Sequence, residues 1–122
     1  MIQNKKFNIS PYAKVNFCSI KTKKNCTLIV EDGSIIEGRL IFEHDNAHIS
    51  IGKNTFIGSS TLICAEKISI GNNVLIAWGC NIVDHNSHSL VFCERKDDVK
   101  KWLNGEKDWT NVIRKPIVIK DK

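Results

Sequence analysis

The run Asp84-His85-Asn86-Ser87-His88 gathers side chains suited to moving a proton or holding a polar ligand. An imidazole with an ordinary pKa of about 6.5 is mostly neutral at neutral pH, and the neutral ring can take the proton of an attacking hydroxyl. His85 is therefore the candidate catalytic base. Asp84 is a candidate for orienting that ring or holding an acceptor hydroxyl, although adjacent strand residues face opposite ways and so oppose contact between the two. Asn86 offers both a donor and an acceptor to a bound polar molecule. His85 and His88 also form an H-x-x-H pair. Zinc would need a third protein ligand, and neither His44 nor His48 lies near in sequence, so no metal is expected and His88 is expected to pack within its loop. Trp78 follows a bulky residue at a predicted turn and faces outward, either to stack on a ligand ring or to bury itself against another subunit.

A six-residue period positions these residues. Bulky apolar side chains recur at Val30, Ile36 and Phe42, at Ile51, Ile57 and Ile63, and at Ile70, Ile76 and Ile82. Two residues before each stands a second small or apolar residue: Leu28, Ser34, Leu40, Ile49, Thr55, Thr61, Ile68, Val74 and Cys80. A spacing of two puts both on one face of a short strand, and a period of six gives no continuous helical face. Three strands with turns between them make one triangular coil. A one-residue slip between Ile63 and Ile70 sets the coil of Ile70, Ile76 and Ile82 19 residues from the coil of Ile51, Ile57 and Ile63. Stacked in register, Phe42, Ile63 and Ile82 form one expected core column, and Ile36, Ile57 and Ile76 another. The expected fold is all-β, a parallel β-helix with an extruded loop.

The division along the chain follows. Residues 1–27 fit the period poorly and are expected to form an N-terminal cap, irregular around Pro11, with one further strand at Val15 and Phe17. Residues 28–83 form the coils, and residues 84–116 the extruded loop that holds the site. Ile117 and Ile119 restore the spacing, so residues 117–122 begin the next coil. Within the loop a short helix is expected over Asp98–Leu103, with Asp97 as N-cap and Gly105 as terminator. Trp102 and Trp109 are expected to anchor the loop on a neighbouring surface. So long an excursion in so small a domain points to function.

The segments IGKNTFIGSSTLI and IGNNVLIAWGCNI resemble the hexapeptide repeat of the left-handed β-helix acyltransferases. DHNSHSL, the charged Trp-bearing loop and KPIVI are most similar to the sugar and polysaccharide O-acetyltransferases of the maltose and galactoside acetyltransferase type. The resemblance spans Leu28 to Lys120. It implies a left-handed coil, acetyl-CoA as donor substrate, a sugar or glycan acceptor, His85 as the general base, and a homotrimer whose active sites lie between subunits. Asp84, Asn86 and Trp78 become candidate acceptor-binding residues. The coils that carry the coenzyme A groove in that family would follow Ile119, so an incomplete chain is expected, and the cofactor-binding residues are not identified. No serine or cysteine has a neighbouring base in sequence, which favours direct transfer over an acyl-enzyme.

Composition narrows the alternatives. The chain has 122 residues, 42% hydrophobic and 25% charged, enough for one packed domain. No apolar run reaches the roughly 18 to 20 residues of a membrane span, and the start MIQNKKFNIS lacks the features of a signal peptide. The five cysteines are odd in number and form no C-x-x-C pair, which suits a cytoplasmic protein with free thiols. The net charge of +5 is not accompanied by aromatic interleaving around Lys21, Lys23 and Lys24, so nucleic acid is not an expected partner. Three other readings compete: a non-catalytic β-helical scaffold, a β-helical zinc carbonic anhydrase using His85 and His88, and an ice-binding repeat. The last lacks a T-x-T array.

Overall fold

A computed structural model describes residues 6–121. The described residues wind through thirteen short strands: β1 Lys6–Ile9, β2 Lys14–Val15, β3 Ile20–Lys21, β4 Thr27–Val30, β5 Ile35–Ile36, β6 Arg39–Phe42, β7 His48–Ile51, β8 Phe56–Ile57, β9 Thr61–Cys64, β10 Lys67–Ile70, β11 Leu75–Ile76, β12 Asn81–Val83 and β13 Ile117–Ile119. They form three parallel sheets, ordered β1-β4-β7-β10-β13, β2-β5-β8-β11 and β3-β6-β9-β12. Each strand thus pairs with the strand one coil away, and the whole is a parallel β-helix of four coils with the first strand of a fifth.

Alternation within each strand builds the core. Leu28 and Val30, Ile49 and Ile51, and Ile68 and Ile70 point inward and are buried, while their neighbours face out. Leu28, Ile49 and Ile68 stack in register, as do Ile36, Ile57 and Ile76. The corners are tight because Asn and Gly accept the left-handed backbone: Asn25, Asn46, Asn54 and Asn73 and Gly33 all have positive φ. Buried hydroxyls replace apolar residues at two corners. Ser34 Oγ donates to the Gly52 carbonyl at 2.6 Å and accepts the Thr55 amide at 3.0 Å. Thr55 Oγ1 repeats the pattern one coil on, with the Gly71 carbonyl at 2.8 Å and the Val74 amide at 3.2 Å.

Two features differ from the sequence reading. The first is the N-terminal segment: its described part, from Lys6, is a full coil rather than an irregular cap. Phe7 and Ile9 lie over Leu28 and Val30, and Val15 lies over Ile36. Phe17 is not in a strand; it opens a single 3₁₀ turn at Phe17–Ser19 and is exposed. Met1 to Lys5 of the expected cap, and Lys122, lie outside the described residues.

The second concerns the third sheet, where Leu62 and Cys64 are buried and Thr61 and Ile63 face outward. Phe42 is therefore opposite Cys64, and Leu40 is opposite Leu62, which is opposite Ile82. The expected column of Phe42, Ile63 and Ile82 therefore does not form, since Ile63 faces out and Ile82 stacks with Leu62 and Leu40, and Cys80 is exposed. The corner before β9 takes one more residue than the period allows, with the Ser60 amide folded onto the Gly58 carbonyl. The corner before β12 takes one residue more again, so Ile82 rather than Cys80 stacks on Leu62, and the inward-facing place two residues on falls to Asp84.

The loop between β12 and β13 leaves the solenoid through a neck. His85 and Arg114 form an antiparallel bridge, flanked by Asn86 N–H to the Ile113 carbonyl at 3.1 Å and Lys115 N–H to the Asp84 carbonyl at 3.0 Å. Beyond it lie two short helices, α1 Phe92–Arg95, which the sequence reading did not include, and α2 Asp98–Leu103. Gly105, with φ of 77°, follows α2, while Asp97 makes no side-chain cap. None of the described helices is long and apolar enough to cross a membrane.

Candidate functional site

The site begins with Asp84, because its carboxylate aims the residue that follows. Asp84 is 4% exposed. Its Oδ1 accepts the Ala65 amide at 2.7 Å, and its Oδ2 accepts the Glu66 and Lys67 amides, each at 2.8 Å. The Cys64 thiol reaches the same Oδ2 at 3.4 Å. Three backbone donors compensate a buried carboxylate that no cation among the described residues pairs. Asp84 is thus spent on the turn of the coil below, and it neither orients the His85 ring nor presents a free oxygen to an acceptor.

Fixed by that anchor, His85 directs its ring the other way, to the outer wall of the solenoid. Nδ1 accepts the Ser87 amide at 3.0 Å, so the proton of the neutral ring sits on Nε2. Nε2 lies 3.6 Å from Glu43 Oε1 and has no hydrogen-bond partner, the one buried side-chain nitrogen or oxygen in that condition among the described residues. Burial pushes the His85 pKa below its ordinary value, against the opposing pull of the Glu43 and Asp84 charges and with help from Lys107 and Arg114. The ring is therefore neutral at neutral pH.

Trp109 closes over this ring. Its indole stands edge-on between His85 and His44, 5.1 Å from each. Lys107 Nζ sits 4.5 Å from the centre of the indole, and the Arg114 guanidinium lies 5.8 Å away on its path to Glu66. The His85 side chain is left only 1% exposed. Glu43, His44 and Trp109 also line, with Lys23, Asp45 and Lys107, a polar cavity of about 320 Å³ whose wall does not include His85 itself.

Of the residues singled out in the sequence, Asn86 is exposed beside the neck and lines, together with Asp84, His85, Ile113, Lys115 and Ile117, a second cavity of about 250 Å³. Trp78 is 80% exposed on the turn after β11, a different corner from that of His85, and is not among the residues gathered around the ring. His88 packs inside the loop, its Nδ1 bonded to the Ser89 carbonyl at 2.9 Å. Trp109 anchors the loop on its own solenoid, whereas Trp102 is 41% exposed on α2. Among the described residues no three His, Cys, Asp or Glu side chains are placed to share a metal ion.

Glu43, His44 and Trp109 are the members that the sequence reading missed. Glu43 follows Phe42, whose column runs through Cys64 to Asp84. Continuing that register by one residue puts buried Ala65 between Glu43 and His85, and only a methyl separates the two longer side chains. The signal was present in the stacking, but only with the correct register. Comparison with protein-family models, with curated proteins and with solved structures finds no match.

Proposed function

We propose that this chain is an O-acyltransferase that moves an acetyl group from acetyl-CoA to a hydroxyl of a sugar or polysaccharide, with His85 as general base. The observation that carries the reading is the His85 residue itself: its ring neutral, rooted where the loop leaves a β-helical wall, lining a cavity of about 250 Å³ at the neck, with a buried Nε2 that has no hydrogen-bond partner. The repeat's resemblance to acyltransferases supports the choice of donor.

In the reaction the acceptor oxygen attacks the thioester carbonyl as its proton passes to His85; the carbon–sulfur bond then breaks, and the thiolate recovers that proton from the imidazolium. Base action at either nitrogen requires the Ser87 amide to move. At Nδ1 this amide occupies the lone pair, and at Nε2 the ring proton must first transfer to Nδ1. Trp109 must also yield for an acceptor to reach the ring. Direct transfer suits the thiol nearest the site: burial and the Asp84 charge push the Cys64 pKa up strongly, the reverse of an activated nucleophile.

The assembly we infer is a trimer. Leu90, Val91, Phe92, Val99 and Leu103 are exposed along the loop, an apolar surface that a second copy would cover, and light scattering at micromolar concentration tests it. The five free cysteines suit the cytoplasm. A scaffold role is the competing reading, favoured by the indole that covers His85. Thiol release from acetyl-CoA across a panel of sugars, measured on a chain supplied with the coils expected after Ile119, decides between them: release that depends on both sugar and His85 supports transfer, and its absence supports the scaffold.

A further inference from the structure

We propose that Glu43 is a positioning residue for His85, a carboxylate from the coil two below that faces the Nε2 hydrogen and holds the imidazole in one tautomer and one orientation. Its part in catalysis rests on the acyl-transfer reading; the pairing itself does not.

Three observations converge on it. The Ser87 amide on Nδ1 places the neutral ring's hydrogen on Nε2, so the atom nearest Glu43 is a donor, and a carboxylate is an acceptor only. The separation of 3.6 Å is within ion-pair range and longer than a hydrogen bond. A small shift of either side chain closes it, and the Glu43 side chain, 38% exposed, has room to move. Finally, Nε2 has no other partner and is sealed from water, so any compensation for it must come from Glu43.

The other charges around the ring leave this role to Glu43. Asp84 adds negative charge nearby, but its oxygens are committed to the amides of Ala65, Glu66 and Lys67. Lys107 and Arg114, both from the loop, disfavour a protonated ring, and His44 lies on the far side of Trp109. When His85 takes a proton, Glu43 is the group placed to share the charge. A carboxylate behind a base in this way sets the ring's direction and stabilises the imidazolium.

The test is long-range proton–nitrogen correlation NMR of the labelled imidazoles in the unaltered chain and in Glu43→Gln. The unaltered chain should show His85 as the Nε2–H tautomer above its titration. Glu43→Gln should lower the midpoint by about half a unit to one unit, the low end for an opposite charge at this range because Glu43 is partly solvated. Glu37→Gln, at a different corner of the same coil, should leave it unmoved. Where transfer is active, the acid limb of the rate profile should move with the midpoint. Should Glu43→Gln fail to fold, Glu43→Asp carries the same test with a smaller fall. An unmoved His85 midpoint in a folded Glu43 variant overturns the pairing, even in a working transferase. A shifted midpoint supports the pairing whether or not the chain transfers acetyl groups, and the acyl-transfer reading stands or falls on the thiol-release assay.

Discussion

Asp84 Oδ1 accepts the amide hydrogen of Ala65 at 2.7 Å, joining the end of one coil to the corner of the coil below. With the Glu66 and Lys67 amides on the other oxygen, this makes Asp84 the pin from which the whole loop departs. Replacing it by Ala would leave three turn amides without their acceptor. Asp84→Ala is expected to cost about 2 to 4 kcal/mol of unfolding free energy, read as a lower urea midpoint, and Asp84→Asn less than that.

In a chain supplied with the coils expected after Ile119, His85→Ala should lower acetyl transfer by about 10² to 10⁴, the usual worth of a placed general base. His88→Ala, which removes a bond to the neighbouring Ser89 carbonyl, should do less. Steady-state kinetics of the two variants checks the assignment, and a larger loss at His88 would reverse it.

Burial lowers the pKa of both His85 and His48 in the folded chain, and for His48 the Lys67 charge adds to the effect. The unfolded chain therefore binds more protons than the folded one between the lowered and the ordinary histidine values. Stability should be highest above the ordinary value, fall as pH drops through it, and level off below the folded values. Urea midpoints from about pH 7.5 down to pH 5.5, where few carboxylates have begun to protonate, measure this slope, and His85→Gln should remove part of it.

Thiol labelling should split the five cysteines into two classes. Cys18, Cys80 and Cys93 are exposed and should react in the folded protein, whereas Cys26 and Cys64 are buried. The Cys64 pKa is also raised, so that thiol should react only on unfolding. Peptide mapping after brief treatment with iodoacetamide distinguishes the sites.

Much of the solenoid was legible because aliphatic residues spaced by six leave few other folds. The first coil escaped notice for a local reason: it lies 21 residues from its neighbour at Ile9 and Val30 but 20 at Ile20 and Leu40, with a 3₁₀ turn absorbing the difference. The segment Thr61–Cys64 misled because Thr-Leu-Ile-Cys reads equally well with either parity, and nothing local shows that Ser60 consumes a residue at the corner. His85 stood out because the repeat breaks there. Glu43 and Trp109 did not, since one arrives by stacking across two coils and the other by a loop folding back on its own wall.

The neck of the loop has an entropic consequence. Ile49 and Ile68, paired across one coil, are 19 residues apart, but Ile68 and its next partner Ile117 are 49 apart. Closing the longer segment costs about 0.8 kcal/mol more in chain entropy. In a stack where each coil leans only on its neighbours, that makes the β10–β13 seam the expensive joint to form, and amide exchange should be fastest along it while the seams below stay protected. The loop that carries the histidine thus also divides the molecule into a firmly wound lower part and an upper strand that engages last.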